Sequence, residues 1–207
     1  LPENNTTNPA YTKALNNLIE KFAELPGIGR KTAERLAFHV LKSDKAEAME
    51  LARAVSDVKT KIKQCRVCCS YSEEDVCPIC QDPSRDKSTV CVVEQPKDLI
   101  SLEKTGICKW TYHVLGGHIA PLEGIEPEDL TIDKLISRIR QGEIRELVMA
   151  TNPTVEGDAT SLYVTSLLRD SSIRITRLAR GLPAGSSIEF SNNSILSDAI
   201  LGRDEIE

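Results

Sequence analysis

A chain of 207 residues with 40% hydrophobic content can bury a core without crosslinks, and no apolar run approaches the length of a membrane span. An odd count of seven cysteines, behind a start with neither a basic nor an apolar leader region, excludes a simple secreted disulfide framework and points to a soluble cytoplasmic protein. The net charge of −5 alone argues against nucleic acid, but residues 10–66 hold 12 Lys or Arg against 7 Asp or Glu, leaving 14 basic and 24 acidic residues elsewhere.

Residues 1–10 are polar and are expected to form a flexible N-terminus. From Tyr11 to Leu25, the apolar residues Leu15, Leu18, Ile19 and Phe22 recur at helical spacing. Pro26-Gly27-Ile28-Gly29 stops that helix, and a second starts near Arg30 with Ala33, Leu36, Ala37, Val40 and Leu41 on its inner face. Two glycines between the helices let the backbone approach a neighbour closely. The amides of the second helix's first turn then offer a place for a phosphate, flanked by Lys31 and Arg35 on one face with Arg30 beside them. An ordinary helix corner that happens to use glycine is the structural alternative. Asp44, with Glu47 three residues on, starts a third helix in the manner of a capping box, with Ala48, Leu51, Ala52, Val55, Val58 and Ile62 expected to face inward.

Cys65-Arg-Val-Cys68 and Cys77-Pro-Ile-Cys80 follow directly. Each pair has two residues between its cysteines, so each can turn both sulfurs toward one point, and the two pairs together offer a tetrahedral four-thiolate site. Zinc is the expected occupant, since soft thiolates select it over harder cations. Disulfide pairing is the alternative, disfavoured by the three cysteines outside the spacing, Cys69, Cys91 and Cys108.

Residues 82–88 read as a polar linker, after which strands alternate with helices. Val90–Val93 is a continuously apolar strand ending in Glu94; a helix is expected from Pro96 to Lys104, a strand from Trp110 to Leu115, a helix from Leu130 to Gln141 and a second central strand from Leu147 to Ala150. Thr151–Asp158 reads as the loop at that strand's C-terminal end, where open α/β sheets place functional groups, so Glu94 and this loop are expected to share a site. A further helix to Leu168, a strand near Ile173–Thr176 and a short helix from Ser194 complete the unit. His39 reads as packing or capping, His118 as a surface contact and Cys91 as a small core residue; one Trp and few Tyr or Phe make base stacking a poor main mode of binding.

Leu25-Pro-Gly-Ile-Gly-Arg-Lys-Thr-Ala-Glu-Arg-Leu-Ala37 resembles the helix-hairpin-helix motif of DNA repair proteins, and Glu94 with acidic residues after a later strand resembles the Toprim domain of topoisomerases and primases. Toprim enzymes hold magnesium with a Glu and an Asp-x-Asp; here Thr151-Asn152-Pro153-Thr154 stands in that place, with Glu156 and Asp158 displaced from it. Hairpin, knuckle and Toprim-like body in this order resemble the RecR family of bacterial recombination mediators over nearly the whole chain. Val92–Asp98, Gly116–Gly124, Ala150–Thr160 and Thr176–Pro183 carry that resemblance further. The chain departs from the family pattern at Ala120, where Ser is usual, at Glu126, where Gly is usual, and at Cys69, where a Gly or small residue is common. It also has no Gly-x4-Gly-Lys-Ser/Thr loop for a nucleotide.

The resemblance implies an α/β, multi-domain protein: a flexible 1–10, an all-α helix-hairpin-helix region over 11–64, a four-cysteine zinc finger over 65–81, a linker over 82–88, a Toprim domain with a mostly parallel sheet over 89–182 and a C-terminal segment over 183–207. It implies a non-enzyme of the bacterial cytoplasm and nucleoid that binds single-stranded, duplex or gapped DNA, forms homodimers or homotetramers that clamp it, and works with RecO and RecF to load recombinase. Zinc is then structural on Cys65, Cys68, Cys77 and Cys80 and positions the two halves of the chain. Arg30, Lys31 and Arg35 meet DNA; Glu94, Glu156 and Asp158 form a surface where partners dock, and any magnesium there is not catalytic. The rival is a Toprim-type, metal-dependent DNA-cleaving enzyme.

Overall fold

The computed structural model describes residues 11–142 and 144–203, so the expected flexible stretch 1–10 lies outside the described residues. The chain divides between Ile62 and Lys63 into two units.

The first unit holds α1 (Lys13–Ala23), α2 (Arg30–Lys42) and α3 (Lys45–Thr60). Thr12 caps α1 by accepting the amide of Leu15, and Asp44 caps α3 by accepting that of Glu47. Ile19 of α1 packs on Ala33 and Ala37 of α2, all fully buried, with Leu15, Leu18, Phe22 and Ile28 around them. Small alanines allow a close helix approach, so the inner line of α2 is narrower than its apolar pattern implies: Leu36 and Leu41 are exposed. The stripe of α3 is a larger correction. Leu51, Val55, Val58 and Ile62 are exposed and α3 buries no residue, because the buried contact of this unit is made between α1 and α2 alone.

The second unit opens with the knuckle: β1 (Lys63–Gln64) and β2 (Tyr71–Ser72) pair antiparallel, followed by the single turn α4 (Pro78–Gln81). Its body is built from β3 (Asp86–Val93), α5 (Pro96–Glu103), β4 (Trp110–Val114), α6 (Ile132–Gln141), β5 (Glu146–Met149), α7 (Val155–Leu167), β6 (Arg174–Arg177) and α8 (Asn193–Leu201). The four strands are parallel in the order β4-β3-β5-β6. β3 starts at Asp86, inside the stretch read as a linker: the Asp86 carboxylate accepts from Ser88 and Thr89 and sets up a register shift before Val90.

Strand periodicity explains the core. Val90, Val92, Leu147 and Met149 face α6 and α7, packing with Leu135, Ile136, Ile139 and Val164, while Cys91, Val93, Tyr112, Val114 and Val148 face Leu99 of α5. Both faces are covered, which is why the strands read as apolar runs rather than alternating ones. The outer edge of β4 is covered too. Val114 N–H donates to Cys68 O at 2.8 Å, Arg138 Nη1 donates to Tyr112 O at 2.6 Å and Arg85 Nη1 donates to Trp110 O at 3.1 Å. The knuckle and two arginines thus close an edge that would otherwise offer itself to another strand.

Candidate nucleic-acid interface and metal centre

Leu25-Pro26-Gly27-Ile28 folds into a turn closed by Ile28 N–H on Leu25 O at 3.0 Å, with Gly27 at φ +79°. Proline second and a left-handed glycine third is the chemistry of a type II turn, and a side chain at position 27 would be strained. Gly29 differs, with an ordinary φ of −78° as the N-cap of α2 and no side-chain acceptor for the first-turn amides. A Cβ on Gly29 would meet nothing within 4 Å, so the protein's own packing does not require glycine there. A helix end without a side-chain cap, such as this one, favours an anion. Arg30 approaches Glu34 at 3.7 Å, whereas Lys31 and Arg35 are exposed and have no ion-pair partner among the described residues. Lys31, Glu34, Arg35, Phe38, His39 and Lys42 line one shallow groove on this face, a mostly basic one with a single carboxylate, and His39 is exposed rather than packed.

The sulfurs of Cys65, Cys68, Cys77 and Cys80 all lie within 4.8 Å of one another, as the paired spacing predicts. Four thiolates about 2.3 Å from a tetrahedral zinc ion stand about 3.8 Å apart, so the cluster fits the metal. Cys69 lies outside the cluster and has a left-handed φ of 61°, a backbone conformation that suits a glycine, while the sulfur of Cys68 lies within the cluster. Burial raises the Cys65 thiol, but amides from Cys77, Cys68 and Val67 outweigh it and hold it at about 7. Burial pushes Cys77 up to about 11, and the side-chain contact with Cys80, followed by burial, pushes Cys68 up further. Only a bound cation would let all four sulfurs be anionic together.

Glu94 ends β3 and Asn152 follows β5, the two adjacent strands whose connections run to opposite sides of the sheet. Such a switch point opens a crevice. Here it is filled by a closed set of hydrogen bonds. Glu94, 3% exposed, accepts Asn152 N–H at 2.7 Å on one oxygen, and Asn152 Nδ2 at 2.7 Å and His118 Nδ1 at 3.1 Å on the other. Glu94 and the loop after β5 therefore do share a site, but through a donor. Asparagine stands where a Toprim enzyme has aspartate, and it binds the glutamate instead of joining it as a ligand.

Glu156 and Asp158 are not in that loop. α7 starts at Val155 and both residues lie in its first turn, where the helix dipole favours acids. Asp158 is held by Arg180 through both guanidinium nitrogens; that hydrogen bond and the charge beside it keep the carboxyl below its usual range. Glu156 is exposed, and Gly157 is the member of the turn that faces Glu94: a Cβ there would come within 2.1 Å of Asn152 O and 2.9 Å of Glu94 Oε1. Among the described residues, Glu94, Glu156 and Asp158 do not converge into a metal-binding group. Sequence reasoning missed His118 as the partner of Glu94 and Arg180 as that of Asp158, pairs 24 and 22 residues apart with no local pattern to join them.

Comparison with known proteins follows the same divisions. Residues 15–59 match the family model described as RecR, helix-hairpin-helix, residues 62–82 the four-cysteine zinc finger domain of RecR and residues 88–179 the Toprim domain. The chain is 51% identical to a protein named recombination protein RecR from Rhodopirellula baltica, covering 95% of this chain and 98% of the relative. It is 46% identical to the RecR of Desulforudis audaxviator, over 95% of this chain and 99% of that one, and 49% identical to the RecR of Chloroflexus aggregans, over 91% and 92%.

Proposed function

The chain belongs to the RecR family of recombination proteins, and on that premise we propose that it is a non-catalytic mediator that holds gapped DNA while RecO and RecF help to place recombinase on it. Lys31 and Arg35, with Arg30 beside them, meet backbone phosphates at the uncapped start of α2, in a mode indifferent to base sequence. A structural zinc ion on Cys65, Cys68, Cys77 and Cys80 braces the knuckle against the sheet. The exposed apolar stripe of α3 is a surface that a second copy would cover, in keeping with a dimer or tetramer that clamps DNA. Glu156, on the open side of the first turn of α7, is the acid best placed to meet a partner protein on the chromosome, and magnesium visiting it would take no part in catalysis.

The observation that supports the non-catalytic reading is the occupied state of Glu94: its oxygens accept three donors from Asn152 and His118, and among the described residues it belongs to no group of three or more side chains that could hold a hard cation. Incubating labelled single-stranded, duplex and gapped DNA with the pure protein and magnesium or manganese tests this. Intact DNA retained in complexes is expected. Strand breaks that vanish in Glu94→Gln would replace the mediator with a metal-dependent nuclease. Light scattering at micromolar concentration is expected to show a dimer or tetramer, and a monomer would remove the clamp.

A further inference from the structure

Arg138 is a half-buried cation with no carboxylate partner among the described residues. Arg85 and Arg180 in the same unit behave differently: Arg85 grips Glu103 at 2.6 Å, and Arg180 grips Asp158. Arg138 donates only to neutral oxygens, Tyr112 O at 2.6 Å and Thr111 Oγ1 at 2.9 Å. A charge drawn out of water needs an opposite charge nearby, because hydrogen bonds to neutral groups replace only part of its hydration.

Asp133 shares a surface groove with Arg138 but forms no ion pair with it among the described residues, which leaves the knuckle as the candidate. Tyr112 and Val114 are alternate residues on the outer edge of β4, where Arg138 holds the carbonyl of the first and Cys68 O accepts the amide of the second. Two residues along a parallel strand span about 6.6 Å, so the guanidinium and the knuckle are neighbours on one edge. Arg138 and Cys80 also line the same cavity, together with Val67, which lies between the cysteines of the first pair; Lys87 and Arg145 line it too. Burial pushes the Arg138 guanidinium down, and the cysteines, Cys80 first, then Cys68 and Cys65, pull it back. Zinc bound by four thiolates carries a net charge of −2, so the metal-loaded site supplies the anion that Arg138 lacks.

We propose that Arg138 is the counter-charge of the four-cysteine site: its guanidinium, pinned to the outer edge of β4, faces the anionic metal–thiolate cluster and locks the knuckle to the sheet. It is a positioning residue, touching the metal only through the field it exerts on the sulfurs. Metal binding and closure of the β4 edge are then linked, since loss of the metal removes the net −2 charge of the cluster that faces the guanidinium. Lys134, which also acts on Cys69, is exposed and contributes far less through solvent.

The inference rests on the zinc reading, and one preparation tests the two apart. Wild type, Arg138→Met, Arg138→Lys and Lys134→Met are each assayed for zinc content and for zinc affinity by chelator competition, and the cobalt(II)-substituted forms for their thiolate-to-metal absorption. Partners outside the ligand shell are typically worth about 10- to 100-fold in metal affinity, and a loss of that size is expected for Arg138→Met, with a shifted cobalt band. Arg138→Lys, which keeps the charge, is expected to stay within about threefold, as is Lys134→Met. Full zinc in the wild type with unchanged affinity and spectrum in Arg138→Met overturns the role of Arg138 and leaves the zinc reading standing. Less than half an equivalent of zinc in the wild type overturns both. If Arg138→Met does not fold, Arg138→Lys decides alone: a loss of tenfold or more there contradicts a role through charge.

Discussion

Lys31 and Arg35 stand exposed on α2 with no ion pair among the described residues, while Glu94 is 3% exposed and accepts three hydrogen bonds from its own chain. The glycines of the two regions differ in the same way. Gly29 has open space around its missing side chain, whereas Gly157 has Asn152 O in the place a Cβ would take. One region leaves its polar groups exposed, and the other uses Glu94 as an acceptor that ties three loops together. On the proposed reading, charge left without an ion-pair partner is where DNA is met, and charge already matched is where the fold is braced.

The largest effect should come from forcing the closed region open. Gly157→Ala is expected to lower the stability of the second unit by about 3 kcal/mol, read by chemical denaturation, because the new Cβ meets backbone rather than a movable side chain. DNA affinity of the folded fraction should be unchanged. Acid should act on this unit with similar size. Burial lowers His113 from 6.5 to about 4, so the folded state resists protonation: the associated stability is complete above pH 6.5 and is lost as pH falls toward 4. That shift corresponds to about 3 kcal/mol, and His113→Gln should flatten the profile over this range.

Asn152→Asp comes next. It replaces the donor to Glu94 with a second carboxylate, so the variant should be destabilised by about 2 kcal/mol through like-charge repulsion and a lost hydrogen bond. Magnesium or manganese should restore the melting temperature of the variant and leave that of the wild type unchanged. Gly29→Ala should have the smallest effect on stability, about 1 kcal/mol, since alanine fits the backbone but is a poorer N-cap. If clearance is what this glycine provides, the same change should weaken DNA binding measurably at constant salt.

Local rules made the hairpin, the cysteine pairs and the strand ends legible. Turn chemistry at Pro26-Gly27, two-residue spacing between thiols and apolar runs such as Val90–Val93 are each complete within a few neighbours. The exposure of α3 was not legible, because an amphipathic stripe reports an apolar face without saying whether the same chain covers it. Glu94 was readable as a site residue at the end of β3, but its state was not: Asn152 and His118 reach it from 58 and 24 residues away. Arg138 was hidden for the same reason, since it reads as a polar residue of an amphipathic helix and acquires meaning only when α6 sets it against the edge of β4.

The salt dependence of DNA affinity in Lys31→Ala/Arg35→Ala, set beside wild type, tests the contrast most directly. Each lost phosphate contact lowers the slope of log affinity against log salt by about 0.9 on duplex DNA and about 0.7 on a single strand. The double variant is therefore expected to bind more weakly, with a slope shallower by about 1.8 on duplex DNA. Wild-type affinity and an unchanged slope would contradict the account and move the DNA contact away from α2.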